Sequence, residues 1–492
     1  MSKQNKTLKL AGYAVSLLHL LAAITVFMIV VKSEFLPMKY LYMVGGTFAV
    51  LWFITSWIVV FHKKAFRFVL GTILSAILMA GYLGGALYLN KAVSTISNIT
   101  TDQTGEKAMI STYVLESDDA LCLQDAKDYT FGILTSLERE NTDHAVEEIN
   151  KELGSTISIE EYESLTDLAD ALLEKKVGAI VLNKSYLELF EEVSSEDGED
   201  LKYTEFSQQL REIKYQEITL EGQTSSAKMG DTFAVYISGI DTYGHISTRS
   251  RSDVNIIAVA NVKTKQVLLV STPRDYYVPL SISNGVKDKL THAGIYGIDC
   301  SMDTLEQIYD NTLDYYFRVN FSGFEKIVDS LNGITVTSET AFQVGDFSYV
   351  EGENHLSGIE ALAFARERYS FVNGDRQRGA NQMKVIQSVI KKCQSPVILT
   401  NYSSLLNNIA GCFETNMSYA EISSLVRMQI DENKPWNVIS YSVDGTGTKA
   451  TTYSMSNKSV YVMVPNESSI AKAKELIQKV EDGEVLNLEM TE

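Results

Sequence analysis

The stretch "VNIIAVANVKTKQVLLVSTP", residues 254–273, contains two apolar runs joined by a short polar segment. Both runs are rich in β-branched residues, and runs of this length with that composition indicate buried β-strands at 254–262 and 266–273. A third strand is predicted upstream at 232–241. Helical patterns follow at 301–313, 322–332 and 357–366, and a longer helix is expected from about Gly379 to Cys393. This alternation is typical of an α/β sandwich built on a mixed sheet.

The residues before this region form a second, smaller unit. Residues 156–192, "TISIEEYESLTDLADALLEKKVGAIVLNKSYLELFEE", predict strand, helix, strand and helix in that order. We expect a small α/β accessory domain over 95–228 with its carboxylates on exposed helix faces, acting as a spacer or interaction domain. The rest, 229–492, is assigned to the main domain. Its tail has two helical patterns, 419–430 and 468–480, around a loop at 444–454.

The first 94 residues predict a membrane anchor. Three apolar runs, 8–31, 40–61 and 68–89, each reach the roughly 20 residues that a bilayer-spanning helix needs. A cleaved signal peptide would be shorter and would not be followed by two further spans. Lysines before the first span and the segment "HKKAFR" (62–67) predict cytoplasmic ends, which places everything after about residue 91 outside. Gly81, Gly84 and Gly85 would allow close helix contact in the third span.

Charge argues against nucleic acid as a partner. The 492 residues carry a formal net charge of −19, and residues 1–94 contribute nine Lys/Arg and one acid, a net +8. The remaining chain therefore carries −27, a surface that repels a phosphate backbone.

Other familiar chemistries find no motif here. Neither a GxxxxGK[ST] loop nor an HExxH or GxSxG motif is present. The four cysteines, Cys122, Cys300, Cys393 and Cys412, form no CxxC pair, which leaves either isolated buried thiols or one or two disulfides.

The arginines beyond residue 94 are clustered in the sequence, whereas the lysines are spread widely. Seven of the eleven arginines beyond residue 94 lie in three short stretches. They are Arg249 and Arg251 in "STRSRSDVN", Arg274 in "STPRDYY", and Arg366, Arg368, Arg376 and Arg378 in "ARERYSFVNGDRQRGANQ" (365–382). Guanidinium presents paired donors that match phosphate oxygens, so several together favour a diphosphate. Ordinary surface salt bridges are the alternative.

Spacing supports a shared site. Arg366 and Arg368 are two apart, so an extended segment points both to one side. Arg378 and Gln382 are four apart and share a helix face. Asp241 and Asp253 stand at the ends of neighbouring strands. Such carboxylates beside a phosphate pocket suit Mg²⁺, which takes one or two protein carboxylates together with phosphate and water.

The ordered motifs "GID", "RSDVNIIAVANVKTKQVLLVSTPRDYYV", "DYYFRVNFSGFEKIVDSLNGITV", "GIEALAFARERYS" and "GDRQRGANQ" resemble the LytR-CpsA-Psr family over about residues 230–395. Three spans and an extra domain are similar to its capsule-associated branch. The resemblance implies a membrane-anchored envelope enzyme of Gram-positive bacteria. It would transfer a glycopolymer, capsular polysaccharide or teichoic acid, from a polyprenyl diphosphate to peptidoglycan, beside the lipid bilayer and with capsule or wall assembly proteins as further candidate partners.

The resemblance also implies roles for individual residues. It assigns Mg²⁺ to Asp241 and Asp253. It assigns the diphosphate to a larger group: Arg251, Arg274, Arg366, Arg368, Arg378 and Gln382, with Arg376 beside them. Asp275 would orient Arg274 or position the acceptor hydroxyl, and the resemblance implies a catalytic set of Arg274, Asp275 and Asp253. One departure is His292 in "THAGIYG", at a position where the resemblance implies Asn.

Two other functions stay open at this point. The first is a regulatory or sensor protein that binds the lipid carrier without turning it over. The second is a polyprenyl diphosphate hydrolase, in which water replaces the sugar acceptor.

Overall fold

The computed structural model describes residues 3–61, 65–101, 106–194, 203, 205–219, 229–240, 246–371, 374–394 and 411–487. The chain divides into two compact units. The first unit consists of Met1–Asp102, Cys393–Ala410 and Met417–Pro435, and the second of Gln103–Lys392, Gly411–Asn416 and Trp436–Glu492.

The elements are numbered along the described residues. The helices are α1 Lys3–Lys32, α2 Met38–Val60, α3 Ala65–Thr101, α4 Arg139–Leu153, α5 Leu165–Leu173, α6 Leu187–Ser194, α7 Leu290–Tyr296, α8 Ile298–Tyr309, α9 Phe321–Ser330, α10 Gly358–Arg366, α11 Gly374–Cys393, α12 Tyr419–Glu432 and α13 Glu467–Glu481. The strands are β1 Lys107–Leu115, β2 Thr130–Leu134, β3 Ser158–Tyr162, β4 Ala179–Asn183, β5 Leu210–Thr219, β6 Thr232–Ile240, β7 Ser252–Asn261, β8 Gln266–Thr272, β9 Tyr277–Pro279, β10 Lys287–Lys289, β11 Tyr315–Asn320, β12 Ile334–Ser338, β13 Phe342–Val344, β14 Phe347–Tyr349, β15 Gly352–Leu356, β16 Phe413–Thr415, β17 Asn437–Ser442, β18 Gly445–Ala450 and β19 Val460–Pro465.

The first unit contains three helices that are long and apolar enough to cross a membrane, within Leu8–Lys32, Met38–Val60 and Ala65–Lys91. A buried histidine joins all three: His19 on α1 contacts the Thr55 hydroxyl of α2 at 2.9 Å and the Tyr82 hydroxyl of α3 at 3.3 Å. These contacts satisfy a polar side chain that apolar surroundings would otherwise penalise.

Close helix contact in this unit does not occur where the sequence predicted it. A Cβ at Gly81, Gly84 or Gly85 would meet no described atom within 4 Å. At Gly12 it would lie 2.9 Å from the Val59 carbonyl oxygen, and at Gly71 2.6 Å from the Val59 side chain. The expectation was wrong because a glycine allows close approach without itself placing another helix against it.

Helix α12 also belongs to the first unit, although the sequence analysis attached the whole tail to the main domain. Tyr419 donates a hydrogen bond to the Ser33 carbonyl at 2.7 Å, and its ring lies 5.8 Å from that of Phe35. Lys39 forms a 2.6 Å salt bridge with Asp431. These contacts hold α12 against the segment that joins α1 to α2.

In the second unit, the predicted accessory domain is a five-stranded mixed sheet in the order β3-β2-β4-β1-β5. Its strand-helix-strand-helix segment is β3, α5, β4 and α6, as the sequence predicted. Ser164 caps α5 by accepting a hydrogen bond from the Asp167 amide at 3.1 Å. Leu189 and Phe190 of α6 are buried in a core that continues into α7, where it includes Ile295. The small domain therefore shares a core with the main one.

The main domain is built on a six-stranded mixed sheet in the order β16-β11-β6-β7-β8-β17. β6, β7 and β8 form an antiparallel meander, while β11 and β17 pair in parallel with β6 and β8. The three predicted strands end within two residues of the observed ones. Helices α8 and α13 pack on one face through a core that includes Leu268, Leu305 and Leu476. The mixed-sheet α/β prediction is confirmed.

Several elements differ from the predictions, and the helix predicted at 301–313 is Ile298–Tyr309. The segment 444–454, predicted as a loop, contains β18, which pairs antiparallel with β19. Its Gly/Thr composition suggested a turn, but cross-strand pairing with an apolar strand overrides local preference. Helix α11 begins at Gly374, five residues before the predicted start. All four cysteines are free, with Cys300 and Cys412 buried and Cys122 and Cys393 exposed.

Candidate active site

One edge of the six-stranded sheet collects the first predicted site residues. β7 begins at Ser252, directly after Arg251, and β8 ends at Thr272, shortly before Arg274. Because β7 and β8 are antiparallel, with Asn255 opposite Thr272, the start of one strand meets the end of the other. Two stretches that are far apart in the sequence therefore place their charges at the same edge.

Helices α10 and α11 bring the remaining cations. Ser357 and Glu360 form a capping box that fixes the start of α10, with Glu360 accepting a hydrogen bond from the Ser357 amide at 2.8 Å. This helix ends at Arg366. Arg378 and Gln382 lie one turn apart on α11, and both are largely buried.

These segments enclose a cavity of about 760 Å³. One part of its wall is charged or polar, and the rest is apolar. The polar part includes Arg251, Asp253, Arg274, Arg366, Arg368, Arg378 and Gln382, together with Asn320, Glu325, Glu367 and Tyr369. The apolar part includes Phe317, Phe321, Phe324, Phe347, Ile386 and Ile390. Such a lining suits an amphiphile with a polyanionic head and a hydrocarbon tail.

Arg274 and Asp253 form the central pair of the polar wall. Arg274 donates from Nη1 to Asp253 Oδ1 at 2.8 Å, and each side chain is 17% exposed. Burial by itself raises the pKa of Asp253, but Arg274 and Arg378 outweigh it and hold the pKa below its usual range. Asp253 is therefore a carboxylate at neutral pH.

Asp275 lies behind this pair and does not line the cavity. Its Oδ2 is 3.6 Å from Arg274 Nε, and its Oδ1 is 3.3 Å from the ammonium of Lys289. Arg274 Nε is buried without a hydrogen bond to any described residue. This placement fits the role of orienting Arg274 rather than that of touching an acceptor.

Arg251 is held by the small domain. Its Nε donates to Glu188 at 3.1 Å and its Nη1 to Glu192 at 3.2 Å, and both carboxylates belong to α6. The expectation that these carboxylates lie on exposed helix faces was wrong, because the Glu192 side chain is only 11% exposed. The signal was their spacing of four, which puts both on one face of an amphipathic helix.

Glu192 also joins two further cations. Its Oε2 lies 2.8 Å from Lys289 Nζ and 3.3 Å from His292 Nε2. On the other side of the fully buried imidazole, Asp288 Oδ1 lies 2.6 Å from Nδ1. In the sequence, His292 stands out only as a departure from a family pattern. The structure gives that departure a physical reason, since the imidazole pairs with a carboxylate of the small domain.

Burial and charge act in opposite directions in this network. Burial lowers the pKa of His292, but Asp288 and Glu192 outweigh it and raise the pKa to about 9. Burial likewise raises the pKa of Glu192, but His292, Lys289 and Arg251 hold it well below its usual range. The network is therefore ionised at neutral pH, with each cation facing a carboxylate.

Arg249 takes no part in the cavity lining. It pairs with Glu106 at 3.1 Å and with Glu138 at 2.5 Å, and the three side chains are nearly buried. Gly297 makes room for this pair, because a Cβ there would lie 2.5 Å from Glu106 Oε2. Arg249 therefore forms salt bridges, as the alternative to a phosphate site expected, but these are nearly buried and do not lie on the surface.

The other arginines have different surroundings. Arg366 stacks on the Phe321 ring, 4.2 Å from its centroid, and Arg368 donates to the Tyr369 hydroxyl at 2.6 Å. Arg376 is exposed and lines a second, smaller cavity of about 160 Å³ instead of the large one. Asp253, Arg274, Arg378 and Gln382 line both cavities.

The two predicted Mg²⁺ ligands are Asp241 and Asp253. Asp241 lies outside the described residues. Asp253 is an ionised carboxylate on the cavity wall, which is the ligand type that Mg²⁺ prefers. Among the described residues, no group of three or more His, Cys, Asp or Glu side chains could hold a metal alone. A divalent ion held by one or two carboxylates plus phosphate oxygens fits this donor set.

The fold and site together define a class: an α/β protein with a guanidinium-rich pocket opening onto an apolar cavity, in a chain with candidate membrane helices. The particular family follows from comparison. Residues 195–478 match the LytR_cpsA_psr family, and the chain belongs to that family.

Two related proteins from Bacillus species carry the same name. The chain is 32% identical over 254 residues to the polyisoprenyl-teichoic acid–peptidoglycan teichoic acid transferase TagU of Bacillus licheniformis, which covers 51% of this chain and 79% of that protein. It is 31% identical over 253 residues to TagU of Bacillus subtilis, with the same coverage. Among solved structures, B. subtilis TagV matches at 25% identity and a TM-score of 0.44, covering 52% of this chain and 99% of that one.

Proposed function

We propose that this protein is a membrane-anchored phosphotransferase that attaches a polyprenyl-diphosphate-linked glycopolymer to peptidoglycan. The observation that carries the proposal is the single cavity in which five arginines face an apolar chamber. Its family membership and the transferase names of its relatives support the same reaction.

The reaction is a phosphoryl transfer to a hydroxyl group. The acceptor oxygen attacks the phosphorus that carries the glycopolymer, and a new P–O bond forms. The bond from that phosphorus to the bridging oxygen breaks, and polyprenyl phosphate leaves. The hydroxyl proton passes to a base or to solvent. Such reactions depend mainly on positioning and on stabilising the charge of the transition state.

The proposed roles follow the surroundings of each residue. Arg251, Arg274, Arg366, Arg368 and Arg378, with Gln382, hold the diphosphate oxygens. Asp275 orients Arg274 without touching substrate. Asp253, together with Asp241, would hold Mg²⁺, which would neutralise charge on the diphosphate.

The apolar chamber takes the start of the polyprenyl chain. A fully buried hydrocarbon tail gains about 0.8 kcal/mol per CH₂, so a few isoprene units supply much of the donor affinity. The arginines at the chamber then act on a headgroup that the tail already anchors.

We further propose that the lysine-rich ends of the first and second spans lie in the cytoplasm. The second unit then acts outside the membrane, where peptidoglycan is assembled. The relatives named TagU act on teichoic acid, so we propose a wall glycopolymer of that kind as the first donor to test, with capsular polysaccharide as the second.

The test uses the full chain in detergent or nanodiscs with a polyprenyl-diphosphate oligosaccharide, Mg²⁺ and peptidoglycan oligomers. We expect acceptor-linked product from the wild type and roughly a hundredfold less from Arg274→Ala, by analogy with other charge-stabilising donors. The matched control is Arg139→Ala, whose partners are exposed carboxylates. Free glycan phosphate formed equally with and without peptidoglycan would indicate a hydrolase, and binding without turnover would indicate a sensor.

A further inference from the structure

The smaller cavity lies next to the proposed diphosphate site, and diphosphate binding alone gives it no role. Asp253, Arg274, Arg378 and Gln382 line both cavities and therefore form the border between them. The far side of that border is lined by Pro273, Val443 and Met463 and also by several hydroxyl-bearing and charged residues. These include Ser271, Thr272, Ser442, Asp444 and Arg376.

The fold accounts for this second cavity. β8 and β17 are parallel neighbours, with Ser271 opposite Ser442, so their carboxyl ends meet at one edge of the sheet. Ligands of open α/β sheets bind outside the carboxyl ends of parallel strands. Asp444 follows β17 at this edge, two residues after Ser442.

Hydrogen bonds hold the backbone of Asp444 in place, and one oxygen of its carboxylate has no hydrogen-bond partner among the described residues. Its carbonyl oxygen accepts hydrogen bonds from the Tyr276 hydroxyl at 2.5 Å and the Asn466 amide at 3.0 Å, and its amide donates to the Ser469 hydroxyl at 3.1 Å. The carboxylate Oδ1 is buried and has no hydrogen-bond partner among the described residues. A carboxylate on a fixed backbone, with one acceptor atom unused, can orient a hydroxyl group by accepting a hydrogen bond from it.

The in-line geometry of phosphoryl transfer indicates which hydroxyl group the Asp444 carboxylate would contact. In phosphoryl transfer the attacking and leaving oxygens lie roughly in line on opposite sides of the phosphorus. The leaving polyprenyl phosphate belongs with the apolar chamber. The attacking oxygen must then approach across the shared border, from the side of the smaller cavity.

We propose that the smaller cavity is the acceptor subsite. It binds the hydroxyl-bearing sugar of the acceptor, with Asp444 accepting a hydrogen bond from the attacking hydroxyl and Arg376 at the rim. The proposal rests on the proposed transferase function and assigns the side from which its acceptor enters.

The test measures donor and acceptor separately in the full chain. Asp444→Asn keeps the side-chain volume and the backbone contacts. We expect kcat/KM for peptidoglycan oligomers to fall roughly tenfold or more, as for the loss of one hydrogen bond to a charged group. The dissociation constant of the polyprenyl-diphosphate oligosaccharide should stay within about twofold. The matched control, Glu467→Gln, changes an exposed acid near this edge and should leave both values unchanged.

A second variant does not depend on the carboxylate. Gly379 lies on α11 in the cavity wall, and a Cβ there would stand 3.3 Å from the Ser271 hydroxyl. Gly379→Ala favours the helix while narrowing the cavity, so it should raise the acceptor KM and keep donor affinity.

The outcomes separate the two proposals. Transfer by the wild type, with acceptor kinetics unchanged in both variants, would overturn the subsite and leave the transferase intact. Weaker donor binding in both variants would assign the cavity to the first donor sugar and also overturn it. No transfer by the wild type would refute the transferase, and the acceptor subsite with it.

Discussion

Glu192 Oε1 accepts a hydrogen bond from Arg251 Nη1 at 3.2 Å, which joins a carboxylate of the small domain to a guanidinium on the wall of the large cavity. Glu192 itself does not line that cavity, so it holds Arg251 from behind. The small domain is therefore part of the site's construction, because two of its glutamates fix the orientation of one of the site's arginines.

The first prediction concerns this carboxylate. Glu192→Gln leaves Lys289 and His292 with one fewer opposing charge, and breaking such a buried pair costs about 3 kcal/mol. This loss of stability should appear as faster hydrogen exchange of the β7 and β8 amides in the full chain. Glu174→Gln is the control, since Glu174 is exposed and pairs with the exposed Lys176, and it should cost less than about 0.5 kcal/mol.

A role through Arg251 has a separate signature. If Glu192 acts on donor binding by orienting Arg251, Glu192→Gln should weaken the donor in the wild-type background but not in Arg251→Ala. Equal losses in both backgrounds would mean that Glu192 supports the fold alone.

The second prediction is a pH dependence of stability. The pKa of His292 is about 9 in the folded protein, against about 6.5 in an unfolded chain. Because the pKa of His292 is higher in the folded state, its protonation stabilises the fold fully below pH 6.5. This stabilisation is lost as the pH rises through 9. Over this pH range, the contribution of His292 to the free energy of unfolding falls by about 3 kcal/mol. His292→Asn should therefore be much less stable than the wild type at pH 6.5 and closer to it at pH 9.5. A gap that is constant across this range would contradict the assignment.

These residues show what the sequence could and could not predict. The strands β6 to β8 were predictable because apolar β-branched runs carry a local signal. The grouping of arginines was predictable because guanidinium is rarely concentrated in an acidic chain without an anion to hold. The contacts of Glu188 and Glu192 were not predictable, since the sequence of a charged helix face is the same whether that face meets water or a buried cation. Only the contact between α6 and the start of β7 distinguishes the two cases.

The third prediction concerns divalent metal. Asp253 is ionised and faces the cavity, so it should contribute to Mg²⁺ binding once a diphosphate is present. In Asp253→Asn, Mn²⁺ used as a probe should bind the complex with inorganic diphosphate at least roughly tenfold more weakly. Asp303→Asn, an exposed acid outside both cavities, should bind Mn²⁺ as the wild type does. Unchanged Mn²⁺ affinity in Asp253→Asn would remove this residue from the metal site.

The fourth prediction tests the apolar chamber by size. Ile390 lies on its wall near the end of α11, and the next residue, Lys391, is exposed and outside the lining. Ile390→Trp should fill part of the chamber, because a buried hydrocarbon chain and an indole ring cannot occupy the same volume. We expect roughly tenfold weaker binding of a long polyprenyl diphosphate and nearly unchanged binding of a diphosphate with one or two isoprene units.

Lys391→Trp adds the same ring one residue along the helix, where it meets solvent, and should bind both lipids as the wild type does. The comparison separates loss of chamber volume from a general effect of tryptophan on α11. If Ile390→Trp weakens long and short lipids equally, the chamber does not hold the tail. The arginines would then have to bind their anion without help from the apolar wall.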